Sequence, residues 1–407
     1  MLEFIQQGLE FVSVGLRELI SSGGYKYVVM WGIGILLMVL AIKKQIEPAL
    51  LLPMGFGAIL MNIPVESEAV SAEVYKFFND LYMIGIDSDA MPLLLFIGIG
   101  AMIDFGPLLS NPKMIFFGAA AQFGIFITFV LAAIFFLIPE AAAISIIGAA
   151  DGPTTIIVAR KFLTGLEGST GGSLIGPITV VAYSYMALVP IVQPAAIKLV
   201  TTKKERSMRM PYSPSGVSKR TKIIFPVVVT LIAGLAAPAS VALIGCLMFG
   251  NLLKECTVTD NLSEVASKTL ANLITLFLGI TIATTMKADA FLQVSTLLIM
   301  GLGLFAFTLD TIGGVLFAKV MNFFSKNKVN PMIGGSGISA FPMSARVIQR
   351  MGLEEDPQNH LLMHAVGSNV SGQIASVIAG GIILSLVPQL WPELFTHLGA
   401  VIGAIGG

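Results

Sequence analysis

Charged residues are scarce in this sequence of 407 residues. Lysine, arginine, aspartate and glutamate together make up 12% of the chain, about half of the roughly 25% that is typical of soluble proteins. Apolar residues make up 55%, and the mean hydropathy is +0.87. So few charges cannot cover a water-facing surface of this size, so the composition predicts a polytopic membrane protein in a lipid bilayer.

Cysteine and histidine are also rare, with two and three residues. Cys246 and Cys256 cannot build a disulfide framework or a four-ligand zinc site. His360 and His364 have the spacing of metal ligands, but the sequence offers no identifiable third ligand. The 24 basic and 24 acidic residues balance, which removes a global electrostatic case for binding nucleic acid.

Several sequence motifs are missing as well. The chain has no P-loop, Rossmann fingerprint or nucleophile elbow, so we expect no phosphate-driven transport within it. No cleavable signal peptide is visible. Residues 1–25 instead carry apolar side chains at three- and four-residue spacing, with charges between them. This pattern predicts an amphipathic helix that lies on the membrane or against a partner rather than a span.

Ten apolar segments are candidates for crossing a bilayer, which needs about 20 apolar residues per helix. They are expected at about 27–43, 46–63, 91–105, 113–138, 172–199, 223–236, 239–253, 270–286, 291–318 and 360–388. The loop 201–222 holds seven basic residues against one glutamate, so the positive-inside rule places it in the cytoplasm. The acidic stretch 64–90 then lies outside, provided that two further apolar segments, 143–160 and 330–345, do not cross.

The two halves of the chain resemble each other weakly. Residues 48–55 resemble 238–245 at an offset of 190, and Ala159-Arg160 matches Ala345-Arg346 at an offset of 186. Each half has five predicted crossings, and an odd number inverts the second copy. Inverted repeats built around discontinuous helices are typical of ion-coupled transporters.

The predicted fold class is therefore all-α, with two inverted-topology repeats of about five transmembrane helices, each carrying a broken re-entrant segment. The predicted units are the N-terminal helix 1–25, the first repeat 26–200, the basic loop 201–222, the second repeat 223–388 and a C-terminal tail 389–407.

An aspartate interrupts the first broken segment. Asp151 is followed by Gly152-Pro153, which break a helix and free carbonyl groups, and by Thr154 and Thr155, which add hydroxyl oxygens. A carboxylate in an apolar stretch costs roughly 2.5–3.5 kcal/mol on insertion scales, so it usually has a partner or an ion. These hard oxygen ligands predict a site for a small monovalent cation or a proton. The alternative is a hydrogen bond that caps the broken helix.

The second broken segment is rich in glycine and serine and ends in an arginine. It begins at Asn330, contains Gly334, Gly337 and Ser339, and ends at Arg346 on the predicted cytoplasmic side. A guanidinium there can bind a carboxylate bidentately, with serine and backbone N–H groups assisting. Alternatively, Arg346 could snorkel to the surface and fix the topology.

Polar residues also lie deep within later predicted crossings. Tyr185 lies in the fifth crossing. Asn369 and Gln373 lie four residues apart on one face of the tenth, where their amides could bind an ion or join helices. Asp310 lies inside a span and could form a second ion or proton site. Asp104, at a membrane edge, is expected to cap a helix.

Four of these motifs resemble the β subunit of the biotin-dependent, sodium-pumping decarboxylases. That family includes the oxaloacetate, methylmalonyl-CoA, glutaconyl-CoA and malonate decarboxylases. The motifs, in chain order, are Gly-Ala-Ala-Asp151-Gly-Pro-Thr, Ala-Tyr-Ser-Tyr185-Met-Ala-Leu-Val-Pro, the segment from Asn330 to Arg346, and Gly-Ser-Asn369-Val. The resemblance covers nearly the whole chain after the first 25 residues.

The resemblance implies a function and a set of partners. A cytoplasmic α subunit, the biotin carrier and carboxyltransferase, would deliver carboxybiotin. This chain would decarboxylate it and drive sodium outward while a proton is consumed, with no covalent cofactor of its own. A small single-span γ subunit and further β subunits, three in all, would complete a complex in the bacterial inner membrane.

The resemblance also places residues of the site. The predicted sodium ligands are Asp151, Asn369, Thr154 and Tyr185. The predicted carboxybiotin-binding residues are Arg346, Ser339, Gly334 and Gly337, with Arg346, Ser339, Tyr185 and Asn330 as the predicted catalytic residues.

The sequence departs from the family pattern at two places. The stretch 161–172 is longer than the expected connection and contains no proline, which leaves the geometry of the outer loop open. Asp310 stands where a neutral residue would be expected.

A second function class fits the same architecture. A secondary transporter, either a sodium/proton antiporter or a sodium–carboxylate symporter, would need no bond cleavage, and only the motif resemblance favours the decarboxylase. A scaffold protein without catalysis would leave Asp151 and Arg346 unexplained.

Overall fold

The structure is a computed structural model that describes residues 15–405 apart from short gaps. The gaps are residues 16, 22, 46, 66–72, 149–150, 165–173 and 212–215. Side chains are described over the same ranges except at 44, 164, 186–187 and 391–405. The predicted N-terminal amphipathic helix therefore lies largely outside the described residues.

All secondary structure in these described ranges is helical. The helices of the first half are α1 Tyr25–Lys44, α2 Pro48–Leu60, α3 Lys76–Tyr82, α4 Ala90–Met102, α5 Gly106–Ser110, α6 Ile115–Ala120, α7 Phe123–Ala132, α8 Ile138–Ser145, α9 Gly152–Thr164 and α10 Ile175–Val200. A π-helical turn, Met83–Asp87, continues α3.

The second half begins with a single turn in the loop. Its helices are α11 Lys203–Arg206, α12 Lys219–Ala236, α13 Val241–Cys256, α14 Asp260–Glu264, α15 Ala271–Ile282, α16 Ala288–Phe291, α17 Val294–Phe324, α18 Met332–Gly335, α19 Met343–Glu355 and α20 Leu362–Ile405. A π-helical turn, Val265–Leu270, joins α14 to α15. Helix α20 runs through most of the predicted C-terminal tail.

Six stretches are long and apolar enough to cross a membrane. They are Tyr25–Lys43, Pro112–Ala132, Pro238–Cys256, Asp260–Thr285, Val294–Phe324 and Leu362–Leu390. Two bent pairs raise the number to eight if each counts as one span, and their bends are 61° before Ala90–Met102 and 69° within α10. These spans confirm a multi-pass membrane protein, while the count of ten crossings stays a prediction.

Helices of each half pack both on their neighbours in the chain and on helices of the other half. Helix α1 packs on α2, and α12 packs on α13 in the same way. Across the halves, α2 packs on α15 and α4 on α13, while α10 packs on α17 and α20 on α6. Helices of each half are therefore buried in part against helices of the other half.

Glycines allow a short distance between the helix axes at several of these helix–helix contacts. A Cβ atom on Gly34 of α1 would lie 2.6 Å from the carbonyl oxygen of Gly55 in α2, and one on Gly55 would lie 2.6 Å from that of Gly34. Lipid tails are as apolar as the helices, so close backbone packing rather than the hydrophobic effect holds such pairs together.

Both predicted broken segments are broken in the structure. Helix α8 ends at Ser145, and α9 begins at Gly152. Helix α18 ends at Gly335, and α19 begins at Met343 after an irregular stretch. We call these the first break, residues 146–151, of which the structure describes 146–148 and 151, and the second break, residues 336–342. Whether either segment re-enters the membrane stays a prediction.

The basic loop docks on the second half through its arginines. Arg206 pairs with Glu355 at 2.6 Å, and the Nη2 of Arg209 donates to Oδ1 of Asp356 at 3.0 Å. The hydrogen bonds from Arg209 hold the pKa of Asp356 below its ordinary value. The loop therefore stays against the end of α19.

Candidate functional site

Asp151 caps the helix that follows the first break. Its Oδ1 accepts a hydrogen bond of 2.9 Å from the backbone N–H of Thr154, which satisfies one of the free donors at the start of α9. The carboxylate is only 3% exposed, and its Oδ2 has no hydrogen-bond partner among the described residues. The capping alternative thus accounts for one oxygen and leaves the second for a ligand.

A small enclosed cavity joins the two breaks. Its volume is about 10 Å³, which is room for about one water molecule or small ion. Asp151 and Gly148 line it from the first break, Ser339 lines it from the second, and Tyr185 lines it from α10. Residues predicted separately as sodium ligands and as carboxybiotin ligands therefore meet at one point.

Two tyrosines of α10 close on the first break. The hydroxyl of Tyr185 donates to the carbonyl oxygen of Met300, so its oxygen keeps lone pairs for a cation or a proton. The ring of Tyr183 lies where a Cβ on Gly152 would be, so only glycine fits at the start of α9. The hydroxyl of Tyr183 is buried and has no hydrogen-bond partner in the described part of the chain.

Thr154 and Asn369 lie around this cavity rather than in its lining. The hydroxyl of Thr154 is fully buried without a described hydrogen-bond partner, one turn along α9 from Asp151. Asn369 donates from its amide nitrogen to the carbonyl oxygens of Ser336 at 3.1 Å and Ile338 at 2.7 Å. Asn369 thereby fixes the irregular backbone whose next residues line the cavity.

Gln373 does the same one turn further along α20. Its amide nitrogen donates to the carbonyl oxygen of Ser339. The amide oxygens of Asn369 and Gln373 are both buried, and neither finds a hydrogen-bond partner in the described ranges. Each amide side chain thus orients the second break and keeps one unused oxygen, which is the kind of ligand that a hard monovalent cation prefers.

Gly334 and Gly337 lie in backbone-to-backbone contact with neighbouring helices. A Cβ on Gly334 would meet the carbonyl of Gly314 in α17, and one on Gly337 would meet the carbonyl of Phe117 in α6. Gln193, which sequence reasoning missed, donates to the carbonyl oxygen of Gly335 at 2.8 Å and to the hydroxyl of Ser344 at 2.6 Å. These contacts place both glycines in the support of the second break, and their predicted part in binding carboxybiotin stays a prediction.

Asn330 connects the second broken segment to the loop. Its side-chain amide donates to the carbonyl oxygens of Arg206 and Met208, each at 2.9 Å. Its Oδ1 accepts from the backbone N–H of Met332 at 3.0 Å. Because both ends of the amide are used, the structure gives Asn330 a positioning role, and its predicted part in catalysis stays a prediction.

Arg346 is exposed and lies apart from the small cavity. It lines an open groove of about 430 Å³ together with Gln349, Arg350 and Glu354 of α19. Ser339, by contrast, is 2% exposed. The structure therefore places these two predicted carboxybiotin ligands at different depths.

Glu47 faces this region from the turn between α1 and α2. It adopts the left-handed backbone conformation, with φ of 38°, which is uncommon for residues other than glycine. Its half-buried carboxylate lies within range of the positive charge of Arg346. Sequence reasoning missed Glu47, although a lone carboxylate between two apolar helices was a signal for it.

Arg160, which the predicted repeat pairs with Arg346, has a carboxylate partner. It binds Asp89 through two contacts, Nε to Oδ1 at 2.9 Å and Nη2 to Oδ2 at 2.6 Å. Both side chains are about four-fifths buried. This bidentate pair ties the end of α9 to the start of α4.

Asp310 lies in a second buried polar region. It is fully buried in the middle of α17, and a Cβ on Gly124 of α7 would touch its Oδ1. The carboxylate therefore faces the start of α7, where helical N–H groups favour negative charge. Whether it holds a second cation or a proton stays a prediction.

The remaining titratable residues form no metal site in the part of the chain that the structure describes. No group of three or more His, Cys, Asp and Glu side chains is found there. Asp104 accepts from the backbone N–H of Gly106 at 2.8 Å, at the start of α5, and pairs with Lys222 at 3.2 Å. The hydrogen bond from Gly106 caps the start of α5, as expected for Asp104.

Comparison with known proteins gives one family. The sequence model of the Na+-transporting oxaloacetate decarboxylase beta subunit matches residues 26–387. The methylmalonyl-CoA decarboxylase subunit beta of Propionigenium modestum is 46% identical over 373 positions, covering 86% of this chain and 92% of the relative. The oxaloacetate decarboxylase beta chain of Klebsiella pneumoniae is 43% identical over 435 positions, covering 91% and 95%. The methylmalonyl-CoA decarboxylase subunit beta of Veillonella parvula is 43% identical over 378 positions, covering 91% and 97%.

Proposed function

Since this chain belongs to the family of Na+-transporting oxaloacetate decarboxylase beta subunits, we propose that it decarboxylates carboxybiotin and couples this reaction to outward sodium transport. The observation that carries the proposal is the small cavity in which Asp151, Tyr185 and Ser339 meet. One chamber there is lined both by predicted cation ligands and by the segment predicted to receive the carboxylated biotin.

Sodium binds in this proposal at the first break. The free Oδ2 of Asp151 supplies the negative charge, while Tyr185 and the backbone around Gly148 supply neutral oxygens. Thr154 and Asn369, which lie around the cavity, act either as further oxygen ligands or as residues that orient the ligands. A single charge with several neutral oxygens suits a monovalent cation, because a doubly charged ion would demand more carboxylates.

Carboxybiotin arrives in this proposal through the open groove. The guanidinium of Arg346 binds its carboxylate, for which the planar fork of arginine is well suited. Decarboxylation breaks the bond between the carboxylate carbon and the ureido nitrogen of biotin. CO2 leaves, the electron pair stays on the nitrogen, and a proton completes free biotin. Ser339 and Tyr185 lie deeper and serve the passage of the proton or of sodium.

Coupling requires that the two ligands bias the same conformational change. Ligands that bind every state equally shift no equilibrium. The first and second breaks share the walls of one cavity, and Asn369 and Gln373 hold the backbone of the second. A cation at Asp151 therefore acts on the same backbone that leads to Arg346.

The inverted repeat and the orientation are part of the proposal. The packing of α2 on α15 and of α4 on α13 supports two related halves, as does the π-helical turn that precedes α4 and α15 at matching places. With the loop 201–222 in the cytoplasm, the groove of Arg346 opens on the cytoplasmic side. Movement of the broken helices against α1, α2, α12 and α13 would then alternate access to the cavity.

The relatives support partners without fixing the acyl substrate. Their names include both oxaloacetate and methylmalonyl-CoA decarboxylases at similar identity, so we propose that a separate α subunit, which carries biotin, selects the substrate. A small γ subunit and a β homo-oligomer, proposed to be a trimer, complete the complex in the inner membrane. A plain secondary transporter is the second candidate, because the cation cavity alone would serve it equally well.

Release of CO2 from free carboxybiotin, measured across a sodium titration, tests the proposal. The purified chain and the complex with its partner subunits are both assayed in detergent. We expect saturable release that depends on sodium. A matched titration with potassium at equal ionic strength separates cation binding from screening.

No release at any sodium concentration, from folded protein with its partner subunits present, would favour the plain transporter. Release without any sodium dependence would keep the lyase chemistry and remove the cation site from the proposal.

A further inference from the structure

A large cavity lies at one end of two candidate spans, away from the site described above. Its volume is about 1230 Å³. The turn before α6, the last turns of α17, the loop 325–329 and the docked loop residues Met210 and Pro211 enclose it. It shares no lining residue with the groove of Arg346 or with the small cavity of Asp151.

The mouth of this cavity is basic. Lys113, Lys326 and Lys328 line it, and all three are exposed. None of them forms an ion pair with any residue in the described ranges, unlike Lys319 nearby, which pairs with Glu205 at 3.0 Å. The lining contains no aspartate or glutamate. Three exposed ammonium groups and no carboxylate in the lining favour an anion at this mouth.

Much of the lining of this cavity is apolar. Phenylalanine and methionine side chains contribute most of the apolar part, among them Phe117, Phe317 and Met321, while Asn111, Asn327 and His364 add polar groups. Phe116 and Phe324 are exposed, with 56% and 81% of their surface accessible. They belong to the candidate spans Pro112–Ala132 and Val294–Phe324, so the apolar part reaches toward the bilayer. Lys113 lies at the start of the first span, and Lys326 and Lys328 lie just beyond the end of the second.

We propose that this cavity binds an anionic phospholipid from the surrounding leaflet. The phosphate of the head group would lie among the three lysines, and an acyl chain would fill the space between the phenylalanines and methionines. Basic pockets between membrane helices bind anionic lipid head groups in this way. A soluble anion would use the lysines and leave the apolar interior in contact with water.

A bound lipid would also support the start of the second broken segment. Val329 and Met210 line the cavity, and they adjoin Asn330, whose backbone N–H contacts the sulfur of Met210 at 3.1 Å. The inference does not depend on the proposed decarboxylase function, because it rests on the cavity and its charges alone.

Retention of defined lipids tests this inference. The complex with its partner subunits is reconstituted with phosphatidylglycerol or with phosphatidylcholine of the same acyl chains. After detergent exchange, native mass spectrometry of the β subunit counts the lipids that remain. We expect phosphatidylglycerol to remain and phosphatidylcholine to be lost. Combining K113Q, K326Q and K328Q should weaken retention on the order of 100-fold, because each lysine near the surface contributes a roughly fivefold preference for anionic lipid.

Two matched variants keep the test decisive. Changing the three lysines to arginine retains the charge and should retain the lipid, which separates loss of binding from misfolding. Changing Lys203, Lys204 and Lys268, which lie off the cavity, to glutamine removes the same charge and should leave retention unchanged. Inorganic phosphate added at millimolar concentration should fail to displace the lipid.

Equal retention of both lipids, or retention by the glutamine variant equal to that of the unaltered chain, would overturn the inference. Displacement by inorganic phosphate would identify a site for a soluble anion instead. Protection of the three lysines from acetylation only when a partner subunit is present, without retained lipid, would make the cavity a protein-docking surface and would equally overturn it.

Discussion

The two breaks are built alike but carry opposite chemistry. The first contains a carboxylate, Asp151, and leads into a helix whose arginine, Arg160, is bound bidentately by Asp89. The second has no carboxylate and leads into a helix whose arginine, Arg346, is exposed in an open groove. The first break therefore carries a negative charge and precedes a helix whose arginine is paired, while the second carries no charge and precedes a helix whose arginine is exposed.

Under the proposed function, this difference would let two weakly similar halves hold ligands of opposite sign. Both arginines follow an alanine at equivalent places in the halves, yet only Arg160 has its charge taken up by a tight internal pair. In the proposed repeat, a few side chains, such as Asp89 and Asp151, would suffice to make one half bind a cation and leave the other for a carboxylate.

Removing the charge of the first break should have the largest effect. Asp151→Asn leaves the capping oxygen and deletes the negative charge, so we expect the sodium concentration for half-maximal CO2 release to rise at least roughly 100-fold, or sodium stimulation to vanish. Loss of a buried charge partner costs about 3–5 kcal/mol. Asp104→Asn, at a helix end outside the cavity, is the control. Sodium stimulation that survives unchanged in Asp151→Asn would remove the cation from the first break.

Neutralising the open arginine should give the next largest effect. Arg346→Gln removes a charge-assisted contact worth about 1.5–3 kcal/mol, so the half-saturating concentration of carboxybiotin should rise roughly 10- to 100-fold. The sodium requirement should change little. Arg220→Gln, an exposed arginine of the basic loop, is the matched control. A carboxybiotin titration that does not shift would leave Arg346 as a snorkelling residue that fixes topology.

Freeing the paired arginine should make the first half resemble the second. Asp89→Asn leaves Arg160 largely buried without its carboxylate, which should lower stability by about 1–3 kcal/mol. Thermal unfolding in detergent measures this loss. Adding Arg160→Gln to the same chain should recover part of it, since the largely buried positive charge is then gone. An unchanged melting temperature in Asp89→Asn would show that the pair does not distinguish the two halves.

The smallest effect is expected at the loop that covers the second half. Because the pKa of Asp356 is lowered in the folded chain, its contribution is full above the ordinary value of 3.8 and is lost only as the pH falls through the lowered value. Asp356→Asn should therefore speed proteolysis of the loop 201–222 modestly at neutral pH. Arg350→Gln on the same helix serves as the control. Equal cleavage rates for the two variants would show that the pair of Arg206 and Glu355, and not Asp356, anchors the loop.

Much of the architecture follows from the sequence because the bilayer admits few solutions. Apolar runs of sufficient length predict helices, and Gly-Pro next to Asp151 predicts a break, and both are present in the structure. The sequence predicts Asp151, Tyr185 and Ser339 individually as residues of the site. It does not predict their meeting in a single cavity, because that depends on how α9, α10 and the second break cross.

Other features follow only from the fold. Gln193 is an ordinary polar residue in the sequence, and its two bonds to Gly335 and Ser344 depend on the bend of α10. The pairing of Asp89 with Arg160 joins residues 71 positions apart. Asn330 stood out in the sequence for its motif, yet its bonds reach the loop, since the loop folds back over the start of α18.

The contact between Gly314 and Gly334 bears on how this sequence can drift over generations. A Cβ added at either position would clash with the carbonyl of the other glycine. A substitution at one of them therefore cannot be tolerated first and compensated later by a substitution at the other. Gly32 and Gly245 have open space where a Cβ would stand and are free to vary singly. Among the 42 glycines of the chain, we therefore expect descendants to lose those two early and to keep the joined pair for as long as the broken segment is inherited.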